Sequence, residues 1–481
     1  IIFRQHTNII ETIDEALKKY KAVKIINDIL IPAMREVGEK FGRGEYILPF
    51  VLEAAGIMKK SVSYLEQFLN KDDSYTRGKM VLATVYGDVH DIGKNLVKTI
   101  VSNNGFEVID LGKQVPVQKI IDKAKEVNAD VIGLSALLVS TSKQMKIIIE
   151  ELKKQNLNIP VIVGGASINT RYTREISYVN KEKYQGGVFY ANTAFDGLKF
   201  IKELTSEDKE KLIEKYLNEP KKEIKEKKEL ENKIIKKSDI IPSTNIPKLP
   251  FFGNKILRDI NLNNVYPFLN LDYVYKLGWG IRGLKKEEYD KIIKEKFGPI
   301  LEKLKIESIE KKYMVPEVVY GYYPCKKEKD SLVIFNQDLT NELIRFKFPR
   351  QSSEKFLCLS DYFNENKFDV VALQVVSVGN NVTKVCQNFN DKGEYDKALY
   401  LHGLAVETAE GLAEYTNRQI IKEMGFNDFQ GLRYSFGYPT CPDLKDQKKL
   451  FEILDAKRIG TKLTENYQID PECSTSAIVV Y

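Results

Sequence analysis

His90 is one of only three histidines in 481 residues, and the stretch around it has the means to do chemistry. It lies in Gly87-Asp88-Val89-His90-Asp91-Ile92-Gly93-Lys94-Asn95, directly after the apolar run Met80–Val85 and before a helix-like segment ending near Val101. That order reads as strand, loop, helix, and ligands of an open parallel sheet bind at the carboxyl edge of its strands. Asp88, two residues earlier, can accept a hydrogen bond from one imidazole nitrogen and so leave the other as a free lone pair, the form that a metal requires. A lone histidine with no other His or Cys nearby cannot build a closed zinc site, but it can be one axial ligand to a metal already held by a macrocycle. Gly93 allows close approach at the first helical turn. The plainer alternative is a polar loop in which Asp88 and Asp91 cap the helix.

The elements that would position this loop run from Gly78 to about Leu204, within a domain expected to span 76–204. Strands are expected at Met80–Tyr86, Phe106–Leu111, Val131–Leu134, Val161–Val163 and Val188–Tyr190, with helices at Ile92–Ser102, Val117–Val127, Ser142–Lys154, Thr173–Val179 and from Ala194. Five βα units with short connections predict a doubly wound parallel sheet of Rossmann-like or flavodoxin-like type. Two further loops then share the carboxyl edge: Gly133 to Thr141, containing Ser135 and Val139, and Gly164-Gly165-Ala166-Ser167. Their small residues leave room for something slender beside the sheet. Capping of a helix start is the simpler role for Ser135 and Thr141.

Upstream, residues 1–72 read as a helical bundle with apolar stripes Ile9, Ile13, Ala16, Leu17 and Ile25, Ile29, Met34, Val37. Pro32 would begin or kink a helix, and the turn Phe41-Gly42-Arg43-Gly44 leads to another helix from Leu48. Downstream, 205–250 is dominated by charge of both signs and then by Pro242, Pro247 and Pro250, which predicts a linker. Residues 251–481 read as a mixed α+β domain with strands at Val315–Tyr323, Leu332–Phe335, Leu343–Phe348, Asp369–Val376 and Ser476–Val480 and a long helix from about Tyr395 to Met424. Its distinctive stretch, Gly431-Leu432-Arg433-Tyr434-Ser435-Phe436-Gly437-Tyr438-Pro439-Thr440-Cys441-Pro442, suggests an irregular loop. There Arg433 could clamp a carboxylate and Tyr438 could offer a flat face.

Hydrophobic content of 43%, charged content of 29% and a net charge of +7 are ordinary for a globular protein of several domains. Nothing approaches a membrane-spanning length, and no arginine-rich patch with interleaved aromatics points to nucleic acid. Five cysteines without CxxC spacing read as reduced thiols, which places the chain in the cytoplasm. Beginning at Ile1 inside helical-looking sequence, the chain is expected to be a fragment of something longer.

The Asp-x-His-x-x-Gly pattern after a strand, followed by the Gly164-Gly165 loop, resembles the cobalamin-binding module, in wording close to the cobalamin-dependent methionine synthase family. Arg433 to Asp443, Pro316 to Pro324 and Tyr266 to Asn270 resemble the S-adenosylmethionine-binding activation domain of the same family. The resemblance implies a methyltransferase that carries a methyl group from methyltetrahydrofolate to homocysteine. His90 would be the lower axial ligand to cobalt, and Asp88 and Thr141 a proton relay. Gly87, Val89, Asp91, Gly93, Ser135, Val139, Gly164 and Gly165 would lie around the cofactor. Val139 stands where some relatives have a hydrogen-bonding Thr. Phe41 and Leu48 match residues that shield the upper face, and Asn27 falls where the family often has Glu. Arg433, Glu410, Tyr438 and Asn270 would line the S-adenosylmethionine site, with Asn270 where some members have Asp.

The implied partners are upstream homocysteine and folate modules, zinc belonging only to that absent amino-terminal part, and a flavodoxin or flavoprotein reductase as electron source. No nucleic acid or membrane is implied. A corrinoid methyl carrier for another methyltransferase and a cobalamin-dependent sensor are the rival classes. Residues 251–481 do not suit either, since a simple carrier lacks such a domain and a sensor needs an output module.

Overall fold

A computed structural model describes residues 1–4, 7–68, 77–219, 238–351, 356–427 and 430–481. The expected boundaries at 72 and 76, and most of the charged run up to Lys237, lie outside the described residues. The chain divides into two compact units. One gathers the described residues up to 219 with Trp279–Ile293 and Cys386–Tyr400, and the other holds the remainder.

The first unit opens with helices α1 (Ile9–Leu17), α2 (Ile31–Gly42) and α3 (Leu48–Leu65). Four of the eight expected stripe residues, Ile13, Ile25, Met34 and Val37, are buried in the core, and Ile9, Ala16 and Leu17 pack half-buried against it. Ile29 is the exception, being 45% exposed while Ile26 is fully buried. The cause is local: residues Ile25–Leu30 form a π-turn, whose extra residue per turn rotates the apolar face away from an α-helical phase. Pro32 follows at once in the first turn of α2, where its missing N–H costs nothing.

The sheet that follows contains β1 (Lys79–Thr84), β2 (Glu107–Asp110), β3 (Val131–Ser135), β4 (Val161–Gly164) and β5 (Val188–Tyr190). The strands are all parallel, in the order β2-β1-β3-β4-β5. Met80–Thr84 and Val131–Leu134 are buried throughout, as strands covered on both faces must be. The covering helices are α4 (Ile92–Ser102), α5 (Val117–Glu126), α6 (Val139–Lys154), α7 (Thr170–Ile176) and α8 (Ala194–Leu204). Helix α9 (Lys209–Asn218) lies in the charged stretch read as linker, yet it buries Tyr216, whose ring sits 5.6 Å from that of Phe189 on β5.

The second unit is built on a seven-stranded antiparallel sheet of β6 (Gly253–Leu257), β7 (Glu317–Glu328), β8 (Ser331–Phe335), β9 (Glu342–Lys347), β10 (Asp369–Ser377), β11 (Leu432–Ser435) and β12 (Ser474–Val480). The order is β9-β8-β7-β10-β12-β11, with β6 also paired to β7. Helices α10 (Gly298–Glu310), α11 (Tyr395–Glu423) and α12 (Asp446–Leu454) accompany it. Leu432–Ser435, expected as irregular loop, is the edge strand β11, with Arg433 opposite Val479. A four-residue run preceded by glycine gives too short an alternation to be read as a strand without its partner.

Two lysines of α4, Lys94 and Lys98, pair with Asp110 and tie this helix, and so the His90 loop, to the sheet. Lys94 is only 1% exposed, and its Nζ donates to Asp110 Oδ1 at the end of β2 (2.6 Å) and to Asn95 Oδ1 (2.6 Å). Burial alone would raise the Asp110 carboxyl. Lys94, the Gly112 N–H and Lys98 outweigh that and hold it below its usual value. Asp110→Asn leaves the Lys94 ammonium buried without a counter-charge and should cost about 3 kcal/mol. Faster amide exchange across residues 92–102 would report the loss. A depressed carboxyl stabilises the fold above its unfolded pKa of about 3.9. The contribution should therefore be complete at neutral pH and disappear as pH falls from about 4 through the lower folded value.

Candidate functional site

The carboxyl edge of the parallel sheet carries a buried carboxylate. Asp88 is fully buried, and its Oδ1 accepts from the His90 backbone N–H (3.0 Å) and lies 2.8 Å from His90 Nδ1. Its Oδ2 accepts from the Leu137 N–H (2.8 Å) and from Thr141 Oγ1 (2.5 Å). Burial works to raise this carboxyl, but the hydrogen bonds from His90 and Thr141 prevail and keep it below its ordinary value. A carboxylate can only accept, so the shared proton resides on Nδ1, and in the neutral imidazole the lone pair is then on Nε2. The ring is 27% exposed, with Leu137 and Val139 also exposed beside this loop pair. Asp88 thus joins two loops and caps neither end of α4. The α4 N-cap, Asp91, makes no side-chain capping bond either. Thr141 sits within the first turn of α6, also donating to the Leu138 carbonyl (3.0 Å).

Beside this cluster is a cavity of about 440 Å³. Its walls bring together Phe41 and Leu48 from the helical bundle, Gly93 at the start of α4, Ser135 at the end of β3, and Gly164 and Gly165 after β4. Asp88, His90, Thr141 and Val139 are not in its walls. Gly87 and Val89 lie in the loop before α4, and Val89 is buried. Asn27 lies in the π-turn, exposed, and lines none of this cavity. Phe41 stacks on Phe195 at 5.1 Å, closing one end. Gly165 has a φ of +122°, and a Cβ there would meet the Ala136 carbonyl oxygen at 2.0 Å, so only glycine makes this turn. At Gly93 a Cβ would meet nothing within 4 Å, because the position faces open space.

In the second unit, Arg433 Nη2 donates to Glu410 Oε2 (2.8 Å), and its Nε lies 3.5 Å from Glu414. The Asn270 N–H donates to Glu407 Oε1 (2.8 Å), while the Asn270 side-chain oxygen accepts from the Tyr273 N–H (3.2 Å). Burial raises the Tyr438 hydroxyl pKa, with further contributions from Glu410 and Tyr273, although the side chain as a whole is 60% exposed.

The family model described as "B12 binding domain" matches residues 78–196, and a second of that description matches 4–66. Residues 284–481 match "Vitamin B12 dependent methionine synthase, activation domain". Along its length the chain is similar to the carboxyl-terminal part of cobalamin-dependent methionine synthase. Methionine synthases of Mycobacterium tuberculosis and Mycobacterium leprae are 32% and 33% identical to it over 98% of this chain. In each case the match covers 44% of the relative, so the chain spans less than half of their length. A solved MetH reactivation domain bound to AdoHcy aligns with 49% of this chain and 80% of its own at 20% identity, with a TM-score of 0.44.

Several residues that complete these sites are not evident from motif reading. The Leu137 N–H is a backbone donor with no side-chain signal. Phe195 enters only because α8 packs beside α2, where a Cβ on Gly38 would meet its ring at 2.7 Å. Glu407 and Glu414 had a usable signal: together with Glu410 they are spaced i, i+3, i+7 on one face of α11.

The two glycines should respond oppositely to a methyl group. Gly93→Ala should be neutral or stabilising by about 0.5 kcal/mol, and Gly165→Ala destabilising by more than about 2 kcal/mol through strain and overlap. Thermal denaturation of the two variants checks both signs.

Proposed function

We propose that this chain holds cobalamin between the helical bundle and the parallel sheet, and supports its reductive remethylation by S-adenosylmethionine, as part of a methionine synthase. The observation that carries the reading is Asp88, whose Oδ1 lies 2.8 Å from His90 Nδ1 at the carboxyl edge of the sheet, beside a cavity of about 440 Å³. These residues fit the cofactor. The imidazole is pre-oriented, Leu137 and Val139 expose apolar surface beside it, and Gly93, Ser135, Gly164 and Gly165 leave a slot for an elongated substituent. Bound cobalamin would supply a cobalt centre able to accept and donate a methyl group.

The chain's own work is to position and protect. His90 would hold the cobalt through its imidazole, and Asp88 with Thr141 would hold the proton on Nδ1. Phe41 and Leu48 would exclude water from the cavity that they help to wall. Arg433 would receive a carboxylate of S-adenosylmethionine, with Glu410, Tyr438 and Asn270 around it. The homocysteine and folate steps, and any zinc, would belong to other modules, and a flavodoxin or flavoprotein reductase would deliver the electron. The activation-domain match over 284–481 favours this over a simple corrinoid carrier or a sensor. Among the described residues no helix is long and apolar enough to cross a membrane. A cytoplasmic setting suits five cysteines that are all free and buried.

The test is a cobalamin titration of the chain, of His90→Gly and of Gly93→Leu, read by visible absorption and paramagnetic resonance. The unchanged chain should bind with a protein imidazole as lower ligand, and His90→Gly should bind without that nitrogen. Gly93→Leu should fold but weaken binding by about tenfold or more, since its side chain enters the cavity. Identical spectra for the chain and His90→Gly would remove His90 from the role and overturn the reading.

A further inference from the structure

The carboxylates around Arg433 are not equivalent. Glu410 is committed to Arg433 Nη2 at 2.8 Å. Glu414 lies between Arg418 (3.3 Å) and Arg433 (3.5 Å). The amide oxygen of Asn270 carries no charge and already accepts from the Tyr273 N–H. Glu407 differs from all of these. It is 5% exposed, takes part in no ion pair among the described residues, and uses only Oε1, on the Asn270 N–H. It stands one turn before Glu410 on the same face of α11 and is within electrostatic range of Glu410 and Arg433.

The fold holds this arrangement tightly. Gly411, one turn along α11, lies against the segment that leads to Asn270, where a Cβ would be in ordinary contact 3.5 Å from the Val265 carbonyl oxygen. Gly278 meets Gly403 on the same helix, with 3.2 Å between a built Cβ and the Gly403 Cα. The segment bearing Asn270 is thereby pressed against the face bearing Glu407. Burial raises the Glu407 carboxyl and the Glu410 charge adds to that, against the opposing Asn270 N–H and Arg433, so a cation arriving beside it would relieve the remaining penalty.

A free amino acid end presents a carboxylate and an ammonium two bonds apart. Arg433 meets the first, and the second then needs an anion within a few ångströms. We propose that Glu407, and not Asn270, receives the α-ammonium of the ligand at this site. The proposal rests on the reading of the Arg433 site as the S-adenosylmethionine site.

The experiment is calorimetric binding of S-adenosylhomocysteine and of its deaminated 2-oxo-acid analogue to the full chain, to Glu407→Gln and to Asn270→Ala. The unchanged chain should prefer the amino ligand by about tenfold, as a charge-assisted bond replaces none. Glu407→Gln should erase that preference while still binding the 2-oxo acid through Arg433, and Asn270→Ala should keep it. Preference retained in Glu407→Gln, or lost in Asn270→Ala, overturns the assignment. If Glu407→Gln fails to fold, the Asn270→Ala result decides alone. Equal binding of both ligands by the unchanged chain removes only the role of Glu407, whereas binding of neither removes the reading of the site itself.

Discussion

A single buried carboxylate organises the first unit. Asp88 has no solvent, and a charge so placed persists only if its lone pairs are met by donors. The donors come from both sides: His90 from its own loop, Leu137 from the loop after β3 and Thr141 from the first turn of α6. Both strand ends are thus fastened to one group, and the imidazole direction follows from that fastening. Removing the carboxylate would release two loops together. The interaction is structural and chemical at once, and neither description is complete without the other.

The same economy appears in the placement of glycine. Gly165 is required by backbone crowding against Ala136, while Gly93 is required by nothing in the protein itself. Gly93 is exposed at the cavity, where the fold leaves the space beside its Cα unfilled. Phe41 and Leu48 reach that cavity from helices far away in sequence, and this links the bundle to the sheet edge.

Much of this was legible beforehand, for definite reasons. The parallel sheet was readable because strands buried on both faces are continuous apolar runs, and Met80–Thr84 and Val131–Leu134 are such runs. The Asp88–His90 contact followed from a spacing of two in a strand-end loop. The π-turn at Ile25–Leu30 was not legible, since its phase shift arises from one extra residue per turn, and Ile29 was placed on the wrong side as a result. The strand at Leu432–Ser435 exists because β12 is there to pair with it, and no local pattern announces a partner that lies some forty residues on.

The second unit shows where motif reading stops and geometry must continue. A motif identifies Arg433 as able to grip a carboxylate, yet the structure shows that arginine already engaged by Glu410 and approached by Glu414. An arginine so held is oriented in advance, and its remaining N–H groups are aimed without further entropic cost. Neighbouring acids therefore divide into those that orient the arginine and those that remain available to a ligand. The division is set by which of Glu407, Glu410 and Glu414 is within reach of a cation, and a helical spacing of i, i+3, i+7 places all of them on one face without deciding it.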